Sequence, residues 1–228
     1  MAGGNPIDNP IDKGSDLLLT RGELSSHPPC IMTVDVSPRS GFAGVLDRFT
    51  GPGATRAELV LQFLPPLIAA ILAPAYAISQ ELDWSPWQLG LAALLALDLL
   101  GGVLTNATAT AKRWYHRPGQ GFAEHFRFVL VHLLHIAAVA WLFRGGDGLF
   151  FLGVSGYLMV GAIAILRAPL YLQRPIALGL YGLVLLGDRY LFAPTEGLEW
   201  FLGFFFLKLF VSHLVFEESH PTTRRESR

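Results

Sequence analysis

The sequence predicts an all-α, polytopic integral membrane protein, a bundle of about six transmembrane helices joined by short loops. Three observations carry that class. Of 228 residues, 52% are hydrophobic and only 15% charged, against about 25% charged in an ordinary soluble domain. The charges cluster and leave apolar runs close to the roughly 20 residues that a spanning helix needs. Basic residues also gather at alternate ends of those runs. A lone cysteine, Cys30, excludes an intrachain disulfide and any cysteine-based metal site.

Residues 1–57 are rich in Gly, Pro, Ser and Asp, with a tandem NPIDNPID near the start. This composition predicts a poorly ordered cytoplasmic tail, within which Met32 is an alternative start. Residues 58–217 form the transmembrane domain, and 218–228 a short cytoplasmic tail. The six apolar segments run about Leu59–Ser79, Pro86–Thr105, Phe126–Phe143, Leu149–Leu166, Pro175–Phe192 and Glu199–Phe216. Pro65, Pro66 and Pro74 predict a kink in the first. Gly101 and Gly102 in the second let helices approach closely, as do Gly153, Gly156 and Gly161 in the fourth.

Charge sets the orientation. With the N-terminus inside, one face receives Arg48, Arg56, Lys112, Arg113, Arg117, Arg127, Arg167, Arg174, Arg224, Arg225 and Arg228. The other receives only Arg144 and Arg189, beside Glu81, Asp83, Asp147, Asp188 and Glu196. This bias predicts a multi-pass protein of the cell membrane with both termini cytoplasmic. Trp84, Trp87, Trp114, Tyr115 and Trp200 fall at segment ends, where interfacial aromatics belong.

An ionisable side chain at mid-membrane costs roughly 2.5–3.5 kcal/mol on insertion scales and so needs a reason. At a rise of 1.5 Å per residue, Asp98, His135 and Lys208 all fall within about 5 Å of the midplane. The plain expectation is an Asp98–Lys208 ion pair with His135 hydrogen-bonded nearby. The functional one is that these residues donate or relay a proton.

His125 and His132 are seven residues apart and share a helical face. His213, Glu217 and His220 have the i, i+4, i+7 spacing of one stripe on the last segment. Two helices would then aim imidazoles and a carboxylate at one point near the cytoplasmic surface, and a divalent metal ion is the cofactor such ligands suit. No HExxH or HxxxH box accompanies them. The turn KRWYHRPGQG brings Lys112, Arg113, His116 and Arg117 within six residues. With Asn106 and Arg167 close by, it is a candidate cradle for the phosphates of a lipid or isoprenoid diphosphate. Its plain reading is a positive-inside loop gripping anionic headgroups. The aromatic last segment, with Phe201, Phe204, Phe205, Phe206 and Phe210, is either lipid-facing bulk or a wall round a prenyl or acyl chain.

Gly153-Val-Ser155-Gly156 resembles the GxSG of rhomboid proteases. The resemblance spans four residues and one later histidine, and it implies Ser155 as nucleophile with His213 as base. Those two differ in depth by roughly 11 Å on the helical rise, too far for a hydrogen bond. A small-residue helix contact is the reading kept for GVSG.

Two function classes follow. The first is a small membrane-embedded enzyme for a lipid or isoprenoid, using Asp98, His132, His135, Lys208, His213 and Glu217. Its substrate would be held by Asn106, Lys112, Arg113, His116, Arg117 and Arg167, and its metal by His125, His132, His213, Glu217 and His220. The second is a transporter or proton relay built on Asp98, His135 and Lys208, or an accessory subunit without chemistry. Segments one to three do not repeat in four to six, which favours the enzyme. The expected partners are the bilayer, a lipid or isoprenoid molecule and a second copy of the chain, with no nucleic acid.

Overall fold

The computed structural model describes residues 37–217, and every regular element among them is helical. Cys30, Met32 and His220 lie outside these residues. Five helices are long and apolar enough to cross a membrane: Arg56–Ser79, Pro86–Ala107, Phe122–Leu142, Gly148–Arg167 and Leu170–Tyr190. A sixth apolar helix, Phe201–His213, is shorter.

In chain order, α1 is Gly41–Thr50, α2 Arg56–Ser79, α3 Pro86–Ala107 and α4 Ala109–Tyr115. Next come α5 Phe122–Val131 and α6 Leu133–Leu142, two halves of one span, then α7 Gly148–Arg167 and α8 Leu170–Tyr190. The last, α9, Phe201–Phe206, runs on into a π-helical stretch, Leu207–His213.

Local chemistry starts these helices where they start. Thr55 and Glu58 form a reciprocal capping box at α2, and Ser85 and Gln88 another at α3, where Pro86 sits in the first turn. Each box satisfies two backbone donors that a helix N-terminus leaves orphaned. Thr108 and Asp147 cap α4 and α7 by the same side-chain-to-backbone bond. α2 stays one helix through Pro65, Pro66 and Pro74, and α8 begins five residues before Pro175 and contains it.

The tail expected over residues 1–57 departs from that reading at α1. Phe42, Val45 and Phe49 share its exposed face, while Asp47 is buried and bonded to Arg39 at 2.7 Å. Gly51 closes the helix at φ +87 against the backbone of Thr110, where an added Cβ would come within 2.3 Å. Tyr115 Oη also donates to the Phe49 carbonyl at 2.9 Å. These contacts dock α1 on α4 at the end of the bundle that carries Arg48, Arg56, Lys112 and Arg117, here called the basic end.

The last helix is the core, not lipid-facing bulk. Phe201, Phe205, Phe206, Leu209, Phe210 and Leu214 are all at most 2% exposed. It starts at the end opposite the basic one, where Gly197 packs on Trp84 and Arg144 binds the Ala193 carbonyl at 2.8 Å. It finishes at the basic end, where Phe216 N–H donates to Gln173 Oε1 at 3.1 Å. In lipid there is little hydrophobic drive between helices, so close packing must hold the bundle. Gly161 provides such packing: a Cβ there would meet the Phe210 ring at 2.4 Å. Leu61, Leu64, Ile68 and Ile71 of α2, with Leu152 and Val160 of α7, point outward as a lipid-facing surface would.

Candidate functional site

α3 carries Asp98, Gly102 and Asn106 at i, i+4 and i+8, one face of one helix. Opposite them stand Lys208 and His213. In an α-helix, residues five apart lie about 140° apart round the axis. The i→i+5 bonding of the π-helical stretch brings such residues close to one face. That winding lets Lys208 meet Asp98 while His213 meets Asn106.

The first centre lies near the middle of the spans. Lys208 Nζ donates to Asp98 Oδ2 at 2.6 Å, and His135 Nε2 bonds the same oxygen at 2.9 Å. The Lys208 side chain is 4% exposed and that of Asp98 40%. Gly102 makes the pair possible, because a Cβ there would sit 2.3 Å from Lys208 Cε and 2.6 Å from Cδ. His132 stacks on His135 with ring centroids 4.9 Å apart. It occupies the break between α5 and α6: its backbone N–H bonds Val129, and its Nδ1 takes the released Phe128 carbonyl at 2.7 Å. With Nδ1–H donating, His132 Nε2 keeps a lone pair. With Nε2–H donating, so does His135 Nδ1, which is buried and without a partner among the described residues.

The second centre, towards the basic end, is a closed chain. His125 Nδ1 donates to His213 Nε2 at 3.2 Å, His213 Nδ1 to Asn106 Oδ1 at 3.0 Å, and Asn106 Nδ2 to the Gly102 carbonyl at 2.8 Å. His116 stacks on His125 at 4.5 Å and donates through Nε2 to the His213 carbonyl at 3.0 Å. Lys112 Nζ donates to the Ser212 carbonyl, capping the end of the last helix. Burial lowers the Lys112 pKa to about 8 and that of His116 to about 4. Burial thus leaves His116 neutral at pH 7, while Lys112, though shifted towards its neutral form, keeps most of its charge. Each donating ring nitrogen in this chain has its acceptor, so it reads as a lock between α3, α5 and the last helix.

The other residues singled out in the sequence are placed as follows. His132 and His213 both pack on the Phe128 ring, His132 tilted at 4.6 Å and His213 stacked at 4.0 Å. Glu217 does not extend a stripe from His213, because the helix ends there; its carboxylate meets Arg174 at 3.6 Å. Arg117 lies 3.7 Å over the Trp114 ring, Arg167 4.8 Å over Phe122, and Arg113 is exposed. Ser155 Oγ is buried with no hydrogen-bond partner among the described residues, so no serine–histidine pair forms. The group whose ligand atoms do converge is Asp98, His132 and His135, all within 4.8 Å of one another.

A cavity of about 400 Å³ joins the first centre to the basic end. Asp98, Lys208 and His132 line its deep part, Asn106 and Tyr115 its basic-end part, and Phe49, Phe63, Leu67 and Leu94 its rim. Those rim residues are themselves exposed, so the cavity reaches the apolar outer surface of the bundle beside them. Sequence reasoning missed two of its wall residues, Gln62 and Thr105. Each is 2% exposed, and Gln62 Oε1 and Thr105 Oγ1 have no partner among the described residues. A glutamine one and a half turns inside an apolar helix was the available signal.

Fold and hydropathy together define the class: a polytopic helical membrane protein. Compared with protein-family models, curated proteins and solved structures, the chain matches none of them.

Proposed function

We propose that the protein is a membrane-embedded enzyme that takes an amphiphilic lipid or isoprenoid from the bilayer and works on it by acid–base chemistry. The residues are Asp98, His132, His135 and Lys208. The observation that carries this reading is the cavity, open to lipid through an apolar rim and ending on an ion-paired acid, an ammonium and two imidazoles. An apolar site with a few converging polar groups is the usual form of a small-molecule site. Intramembrane charges of this kind are uncommon outside functional positions. Asp98, neutralised by Lys208, holds His135 in place, and His132 Nε2 is the free base in the wall. The basic end faces the cytoplasm of the cell membrane on this reading, with both termini there, as the distribution of arginines favours.

A proton relay across the membrane is less well supported. Towards the opposite end, the next cavity is lined by Ala69, Leu72, Ala73, Ala96, Leu100 and Phe204, with Tyr76 and Glu199 its polar members. The convergence of Asp98, His132 and His135 favours one second reading, a divalent metal held by those three. Lys208 already neutralises the shared carboxylate oxygen, which weighs against it.

The test is to incubate purified protein in nanodiscs with total membrane lipid extract and follow all lipid species by mass spectrometry. Wild type should deplete one class and form a matched product, and Asp98→Asn should do neither. Identical profiles for wild type, Asp98→Asn and empty nanodiscs would overturn the proposal. Elemental analysis of the same sample decides the metal reading: one equivalent of zinc, iron or manganese supports it, and none removes it.

A further inference from the structure

The chemistry of the cavity wall also limits the head group it accepts. We propose that the cavity binds a neutral, hydroxyl-bearing amphiphile and rejects its phosphorylated counterpart; this rests on the reading above that the cavity is an amphiphile site. Three observations converge.

The first is charge. Among the residues lining the cavity, Lys208 is the sole cation and Asp98 the sole carboxylate, and they are bonded to each other at 2.6 Å. A phosphate entering this space would find no uncommitted positive charge. Burying an anion without a counter-charge forfeits its hydration with nothing in return.

The second is where the other cations are. Lys112 is spent on the Ser212 carbonyl, Arg117 on Trp114, Arg127 on Glu124 and Arg174 on Glu217. None of them lines the cavity, and neither do Arg48, Arg56 or Arg113.

The third is the pair of unsatisfied groups. Gln62, on α2, bonds through its Nε2 to the Thr50 carbonyl and Thr108 Oγ1, both at 3.5 Å, and its Oε1 is left without a donor. Thr105, on the facing helix α3, has a hydroxyl with no partner. A buried polar group left unpaired forfeits the hydrogen bonds it had to water. A ligand hydroxyl removes both deficits, donating its proton to Gln62 Oε1 and accepting from Thr105 Oγ1–H after small side-chain rotations. An ionised phosphate has only acceptors to offer, so it would leave Gln62 Oε1 facing like charge. The wall between α2 and α3 thus selects an alcohol, while Phe63, Leu67, Leu94 and Leu97 take the first part of its chain.

The test is equilibrium binding to the full chain in nanodiscs with two matched pairs of probes. One pair is geranylgeraniol and geranylgeranyl diphosphate; the other is dioctanoylglycerol and dioctanoylphosphatidate. In at least one pair the neutral member should bind about tenfold tighter or more, a preference worth about 1.4 kcal/mol. Which pair responds identifies the chain as isoprenoid or acyl. Gln62→Leu and Thr105→Val should each weaken the alcohol about tenfold, and Thr105→Ser, which keeps the hydroxyl, should restore binding and rule out a folding defect. If the phosphorylated member binds equally or better, the head-group inference is wrong and the amphiphile site stands. If no probe of either pair binds, both readings fall.

Discussion

Asp98→Asn and Lys208→Met should behave as a coupled pair, with the lysine variant the milder of the two. Lys208 has one hydrogen-bond acceptor, Asp98 Oδ2, and its side chain is 4% exposed. Asp98→Asn therefore strands a buried ammonium, and breaking a buried pair from one side costs about 3–5 kcal/mol. Lys208→Met removes a charge that Asp98 can do without, since the carboxylate keeps His135 at 2.9 Å and is 40% open to the cavity. Its cost should be nearer the roughly 1–3 kcal/mol of a lost charged hydrogen bond. The double variant should then lose about 2 kcal/mol less than the sum of the singles. Reversible unfolding by SDS titration in mixed micelles reads all three. Additivity within about 0.5 kcal/mol, or a lysine variant worse than the aspartate one, would refute the reasoning.

Gly102→Ala should reproduce most of the Asp98→Asn loss without touching a charge, because its Cβ would displace the Lys208 stem from 2.3 Å; Gly101→Ala, with only Pro66 at 3.5 Å, should be tolerated, and the same titration compares them. Acidification should destabilise the fold through His116. Burial holds its folded pKa near 4, against 6.5 when unfolded, so the unfolded chain binds the proton first and stability falls as pH drops from about 6.5 to 4. His116→Asn should flatten that part of a pH series of thermal midpoints. Reporter fusions at Asp83, Asp147 and Glu196 should read external, and one after Arg117 internal; a single reversed loop would undo the proposed orientation.

The spans were legible because an apolar run of some 20 residues leaves a chain few alternatives in lipid. The Asp98–Lys208 pair was legible too, since depth follows from helical rise and two isolated charges at one depth would be costly. Faces were harder to read than depths. Sequence spacing presumes 100° per residue, and the π-helical winding of Leu207–His213 breaks that presumption where His213 was to be aligned with Glu217. His132 was assigned to a continuous face with His125, but its side chain takes the Phe128 carbonyl and interrupts the helix. Gly102 was read as a place for helices to meet, and the neighbour it admits is the stem of Lys208. The helix over Gly41–Thr50 was hidden by the Gly- and Pro-rich composition around it.

If the cavity beside α2 and α3 holds an amphiphile against the Asp98–Lys208 centre, filling that space should expel it. Leu97 lines the space, half-buried, so Leu97→Trp should occupy it without disturbing the ion pair. Native mass spectrometry of protein released from its own membrane should find one lipid class bound near one per chain in wild type, enriched over the bulk lipid, and missing from Leu97→Trp. The same bulk lipids, in the same proportions, on both proteins would contradict the account.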